Sequence, residues 1–293
     1  MVSRSSCGDG SCLAVKIQSG IVKPEVLIVI VVEKLEKTYP DLQRGAVCAV
    51  RGISFVASPG QVFGLLGPNG AGKTTVLRML STMLKPTGGT ATVAGFDVET
   101  QAEDVRGQIG FVSANTANYD RMSAFEMVEF FGQLHGLSKD ELAERSEVVF
   151  EQLQMNDFRD TTCGKMSTGM KQKVSIARAI IHDPPVLIFD EATVGLDVLV
   201  GRSLQNTVLQ FKEQGKCIIY STHHMHEAER VCDHLAIMYQ GDILAEGGQR
   251  ELCEQHGQHS LEELFFALIG QHDGQEDSGG LVAEGVNATE QQL

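Results

Sequence analysis

The stretch Gly67-Pro-Asn69-Gly70-Ala71-Gly72-Lys73-Thr74-Thr75 has the residue types and spacing to hold a phosphate. Its glycines let backbone N–H groups turn inward around phosphate oxygens. The helix expected to follow aims its positive end, roughly half a charge, at the same point. Lys73 adds a full charge, and the Thr74 hydroxyl can bind Mg²⁺. A second stretch, Val186-Leu-Ile-Phe-Asp190-Glu191, supplies carboxylates. A buried strand would deliver Asp190 at its C-terminal end, where ligands of parallel sheets sit. Asp190 can then hold Mg²⁺ directly or through water. Glu191 can polarise an attacking water.

Those groups need a sheet whose strands end side by side. Residues 26–32, 47–55, 61–66, 92–94, 109–112, 186–189 and 217–220 read as strands, with two more around the Gln240-Gly-Asp turn. Helical segments fall at about 74–84, with Pro86-Thr-Gly-Gly as its break, and at 199–213. A short helix follows residue 220. Ser123-x-x-Glu126 and Ser138-x-x-Glu141 look like capping boxes opening helices over 123–136 and 138–153. Ser260-x-x-Glu263 caps a last helix, SLEELFFALIG. Strands alternating with helices predict an α/β fold with a mostly parallel sheet. The expected organisation is a flexible arm over 1–25 and an ATPase domain over 26–248. A helical subdomain takes about 113–180. Over 249–293 a C-terminal helix leads into a polar tail, disordered from 271.

Composition bounds the partners. The chain has 293 residues and a formal net charge of −14, without the basic footprint of a protein that lives on phosphate backbones. Nucleic acid is therefore not an expected partner. Seven cysteines, odd in number and scattered, read as reduced thiols of a cytosolic protein. The longest apolar run, residues 26–32, falls far below the roughly 20 residues that span a bilayer. No signal peptide is expected. A membrane role must come through a partner.

The phosphate loop and Asp190-Glu191 together give a P-loop NTPase, and three further stretches narrow it. Met166-Ser167-Thr168-Gly169-Met170, before KQKVSIARAI, resembles the LSGGQ signature of ABC ATPases. Gly195-Leu196-Asp197 resembles their D-loop, and Ser221-Thr222-His223 their switch histidine. Order and spacing match from about residue 33 to 247. The resemblance implies a RecA-like core with an antiparallel β subdomain and an inserted α-helical subdomain. It implies ATP and Mg²⁺ as ligands, and a homodimer of cassettes packed head to tail. Ser167 and Gly169 would contact the γ-phosphate in trans, with Asp197 among the nucleotide-binding residues. His223 would contact the γ-phosphate and hold the water with Glu191. Tyr39 falls where the family stacks an aromatic on adenine.

Thr168 and Met170 depart from the usual Gly and Gln. With YDRMSAFE, FFGQLHGL, STHHMHEAE and LEELFFALIG, they resemble the cassettes of sodium-extrusion transporters and related ABC-2-type exporters. That resemblance implies a peripheral subunit on the cytoplasmic face of the cell membrane. ATP hydrolysis would drive export of Na⁺ or another small molecule through a separate integral-membrane permease. Ser113 and Ala114 occupy the family's Q-loop positions, where a glutamine is usual. A methyl group cannot coordinate a cation, so an altered metal response is expected. A soluble ABC ATPase acting on ribosomes or nucleic acid would bring tandem cassettes, basic surfaces or long coiled-coil insertions, and none is visible. A P-loop small-molecule kinase would leave the signature and Asp197 unexplained. His223, His224 and His226 could suggest a metal site, but no carboxylate or cysteine clearly converges on them.

Overall fold

The first described residues form a two-stranded ribbon with one apolar side. β1 (Ile30–Asp41) pairs antiparallel with β2 (Gly45–Ala57). Leu35, Val50, Ile53 and Phe55 turn inward and are buried. This computed structural model describes residues 30–41, 45–113 and 119–280. The arm over 1–25, residues 26–29 of the first expected strand, Ala114 and residues 281–293 lie outside the described residues. β1 continues to Asp41, past the expected end at 32. The segment EKLEKTYPD carries little apolar pattern, and pairing with β2 keeps it extended.

β3 (Val62–Leu66) is apolar and buried throughout, as a parallel strand covered on both faces must be. The phosphate loop leaves its end and leads into α1 (Lys73–Leu80). This helix stops short of residue 84. Thr82 takes a φ of 62°, and the Ser81 hydroxyl donates to the Arg78 carbonyl at 3.3 Å. The chain has thus left the helix before Pro86. β4 (Gly88–Val93) and β5 (Phe96–Asp97) complete an antiparallel sheet of order β2-β1-β4-β5. α2 (Ala102–Gln108) has no counterpart in the sequence reading, because it buries only Val105 and shows no apolar period.

After β6 (Ile109–Ser113) come α3 (Ala124–Leu134) and α4 (Lys139–Gln152). Both capping boxes form. The Ser123 N–H donates to Glu126 Oε2 at 2.7 Å, and the Glu126 N–H returns to Ser123 Oγ at 3.2 Å. Ser138 and Glu141 repeat the exchange. α5 (Thr168–Ile180) starts at Ser167, whose hydroxyl accepts from the Met170 N–H at 3.3 Å. These three helices are the inserted helical subdomain.

The chain returns to the main sheet through β7 (Val186–Asp190), α6 (Val198–Glu213), β8 (Cys217–Thr222), α7 (Met225–Val231), β9 (His234–Tyr239) and β10 (Asp242–Gly248). Strand order is β10-β9-β3-β8-β7-β6, parallel except for β10 at one edge. Successive side chains of β7 serve opposite cores. Leu187 and Phe189 pack with the helical subdomain, while Val186 and Ile188 pack with α1 and the antiparallel sheet.

The C-terminal region holds two helices, α8 (Gln249–Gln255) and α9 (Leu261–Gly280), instead of one helix and a tail disordered from 271. α9 continues because the body of the protein receives it: Tyr239 Oη donates to Asp273 Oδ2 at 3.4 Å, and the His272 ring meets the Tyr239 ring edge-on at 5.5 Å. No helix among the described residues is long and apolar enough to cross a membrane.

Candidate functional site

Adjacency of β3, β8 and β7 gathers three distant motifs at the C-terminal ends of three neighbouring strands. Leu66 is in register with Thr222, and Ser221 with Asp190. The phosphate loop, Asp190-Glu191 and His223 therefore emerge side by side from C-terminal strand ends, where open α/β sheets bind ligands.

The loop is built for close approach. A Cβ at Gly67 would lie 2.2 Å from the Met238 carbonyl oxygen. A Cβ at Gly72 would lie 2.5 Å from the Ala49 carbonyl oxygen, and the Gly72 φ is 103°. Gly72 opens α1 without any side-chain cap, which leaves the first helical N–H groups to an anion. Ala71 is buried, Thr75 is half-buried, and Asn69 and Gly70 are exposed.

Lys73 is only 3% exposed. Its ammonium donates to the Gly67 carbonyl at 2.7 Å and the Pro68 carbonyl at 3.0 Å, and pairs with Glu191 Oε1 at 3.2 Å. The same carboxylate oxygen lies 3.3 Å from His223 Nδ1. Lys73, Glu191 and His223 thus form one connected chain of polar groups. Beside it, Thr74 Oγ1 donates to Asp190 Oδ1 at 3.1 Å. A hydroxyl and a carboxylate converging in this way fit Mg²⁺, which takes oxygen ligands and keeps several waters.

Ser221 completes the arrangement, and the sequence reading gave it no role of its own. Its buried hydroxyl donates to Asp190 Oδ1 at 2.8 Å and accepts from the Glu191 N–H at 3.1 Å. It therefore orients both acidic residues. Glu191 needs such support, since its φ of 47° is left-handed and uncommon for a residue with a side chain. Gln172 of α5 adds a further tie, donating to the Ala192 carbonyl at 3.2 Å. A hydroxyl near the end of β8, two residues before the histidine, is the available signal for Ser221.

Other expected site residues lie apart. Among the described residues, Tyr39, Ser167, Gly169 and Asp197 are not among the side chains gathered around Lys73. Tyr39 stands on β1 opposite Val47, with the Lys37 ammonium 5.4 Å from its ring centre. Ser167 caps α5, and a Cβ at Gly169 would lie 2.9 Å from Val200. Asp197 caps α6, accepting from the Leu199 and Val200 N–H groups at 2.9 and 3.0 Å. Ser113 sits in register with Asp190.

Comparison with known proteins agrees with this architecture. A family model described as ABC transporter matches residues 50–194. ABC transporter ATP-binding protein NatA of Bacillus subtilis (strain 168) is 38% identical over 228 residues, covering 78% of this chain and 93% of that protein. Nod factor export ATP-binding protein I of Rhizobium sp. (strain N33) is 38% identical over 216 residues, 74% of this chain and 71% of that protein. A solved structure of the ATP binding subunit of an ABC transporter superposes with a TM-score of 0.73 at 28% identity, covering 82% of this chain and 99% of that one. The chain belongs to the ABC transporter family, as an ATP-hydrolysing, ATP-binding subunit of the exporter type.

Proposed function

We propose that this subunit binds Mg-ATP at Lys73, Thr74 and Asp190, and hydrolyses it with Glu191 and His223. The observation that carries this reading is the connected chain Lys73–Glu191–His223 beside the Thr74–Asp190 pair. Lys73 and the uncapped start of α1 hold phosphate. Asn69 to Thr75 wrap the phosphates with backbone N–H groups, and Tyr39 stacks on the base. Bound Mg²⁺ would be held by Thr74 and Asp190 and would neutralise phosphate charge. Glu191 orients the attacking water and accepts its proton, with His223 fixing the carboxylate.

A second copy, packed head to tail, brings Ser167 and Gly169 to the γ-phosphate, with Asp197 among the nucleotide-binding residues. Two exposed apolar residues support such a face: Val198 and Leu199, next to Asp197, are 86% and 82% exposed. A separate membrane permease forms the translocation path, and the subunit sits on the cytoplasmic face of the membrane. Another apolar surface supports permease contact. Exposed Tyr119 and Phe130 meet edge-on at 6.4 Å, and Phe130 adjoins Phe131 at 5.6 Å. Phe131 in turn lines a cavity of about 240 Å³ with Met83 and His135.

The cargo proposed is Na⁺ or another small molecule, moved outward. One relative is named for Nod factor export, which supports outward transport and keeps an organic cargo beside Na⁺. Reconstitution with the permease tests this reading. ATP-driven flux of Na⁺, or of an organic cargo, that disappears with Glu191→Gln is expected. Absence of any ATP-dependent flux in the reconstituted complex would overturn the transport assignment.

A further inference from the structure

Glu227 receives three hydroxyls on one carboxylate oxygen. Thr222 Oγ1 reaches Oε2 at 2.8 Å, Thr193 Oγ1 at 2.9 Å and Tyr220 Oη at 3.4 Å. All three donors are buried. Hydrogen bonds to an ionised acceptor are stronger than neutral ones, and a buried hydroxyl deprived of its acceptor is costly. Burial, reinforced by the Glu227 charge, pushes the Tyr220 phenol pKa up, so this group remains a donor.

The donors stand at informative places. Thr193 belongs to the turn that begins at Glu191, closed by the Val194 N–H donating to the Glu191 carbonyl at 3.0 Å. Thr222 immediately precedes His223, and its hydroxyl also accepts from the His224 N–H at 3.0 Å. These two turns present the side chains that meet at 3.3 Å, Glu191 and His223. Tyr220 anchors the cluster in the core beneath β8.

We propose that Glu227 is a positioning residue for hydrolysis: it ties the turn bearing Glu191 to the turn bearing His223, and so sets the spacing of those two groups. Its role is exercised through the Thr193 and Thr222 hydroxyls, and so through the turns that carry Glu191 and His223. The proposal rests on the roles given above to Glu191 and His223.

The test compares Glu227→Ala, Glu227→Gln, Thr193→Val and Glu191→Gln in the full chain, by steady-state ATPase assay and by affinity for a non-hydrolysable ATP analogue. Glu227→Ala should lower kcat roughly 10- to 100-fold, as small misplacements of reacting groups do. Its analogue affinity should stay within about twofold, because the lost interaction acts only on the chemical step. Glu227→Gln keeps an acceptor oxygen and should stay within about fivefold of the parental kcat. Thr193→Val cuts one tether and should lose about fivefold, with little further loss when combined with Glu227→Ala. Should Glu227→Ala fail to fold, Thr193→Val and its combination with Glu227→Gln carry the same comparison. Parental kcat in both Thr193→Val and Glu227→Gln would overturn the proposal, as would affinity losses that match the kcat losses. A parental rate for Glu191→Gln would instead overturn the underlying roles. An inactive Glu191→Gln beside fully active Glu227 and Thr193 variants would sink this proposal alone.

Discussion

Nζ of Lys73 lies 3.2 Å from Oε1 of Glu191, so the cation of the phosphate loop rests directly on the carboxylate proposed to orient water. Two loop carbonyls take the other ammonium protons. A phosphate arriving at Lys73 therefore competes with Glu191, and the two anions share one cation.

Glu191→Gln should keep or tighten nucleotide binding while nearly stopping turnover. The amide keeps the shape, removes a negative charge beside the phosphates and cannot accept a proton. Loss of a positioned general base costs about 10²- to 10⁴-fold in rate. Nucleotide titration and a phosphate-release assay check the two halves separately, and a parental rate would refute the assignment of Glu191.

Lys73→Ala should weaken nucleotide binding by at least about tenfold, since hydrogen bonds to a charged group contribute roughly 1.5–3 kcal/mol. Titration of the folded variant measures it. Unchanged affinity would mean that phosphate does not sit at this loop.

Ser167→Asp separates the cap from the nucleotide role. Aspartate caps a helix as well as serine does, so α5 should keep its stability. Its charge would repel a γ-phosphate, and ATPase activity should fall. Mixing this variant with Lys73→Ala should restore activity, because one of the two shared sites then has both Lys73 and Ser167 intact. If mixing restores nothing while dimers form, the trans arrangement is wrong.

Ser221→Ala removes the hydroxyl that Asp190 and the Glu191 N–H share. The expected stability loss is about 0.5–1.5 kcal/mol, since Thr74 still donates to Asp190 and the Ser221 carbonyl still accepts from the Glu191 N–H. Activity should require more Mg²⁺, because Asp190 loses the shorter of its two hydroxyl donors and keeps only Thr74. Thermal unfolding and a Mg²⁺ titration of ATPase activity report the two effects.

His182 makes stability depend on pH. Burial, together with the stacked His135 ring at 3.6 Å, lowers its pKa to about 4, against 6.5 ordinarily. Above 6.5 the imidazole is neutral in both folded and unfolded chains and this contribution is fully present. Below 6.5 the unfolded chain binds the proton first, so stability falls as pH drops from 6.5 towards 4, by ~1–3 kcal/mol. A His182→Gln variant should show a flatter melting temperature across that window. An equally steep profile would show that His182 does not carry the dependence.

Local rules were readable wherever the cause is local. Ser123 with Glu126 and Ser138 with Glu141 announce helix starts because both partners lie within one turn. VFGLL and VLIFD announce buried parallel strands because neither has a polar face. The phosphate loop and Asp190 were legible for the same reason. The extension of β1 to Asp41 depends on pairing with β2, and the continuation of α9 depends on Tyr239, so neither appears in its own segment. Ser221 and Glu227 are ordinary polar residues in sequence. They acquire roles only when β7 and β8 lie side by side.

The strand order also has a consequence for biosynthesis. Val62 at the start of β3 donates to Asp233 across 171 positions, and Thr74 reaches Asp190 across 116. Between β3 and β7 lies β8, which is made after both. A nascent chain halted before β8 therefore has its phosphate loop and its acidic strand but no means of setting them side by side. Closing such long loops is slow and entropically costly. A bound nucleotide that contacts both the phosphate loop and the acidic strand stabilises the state in which β8 has joined them, by mass action.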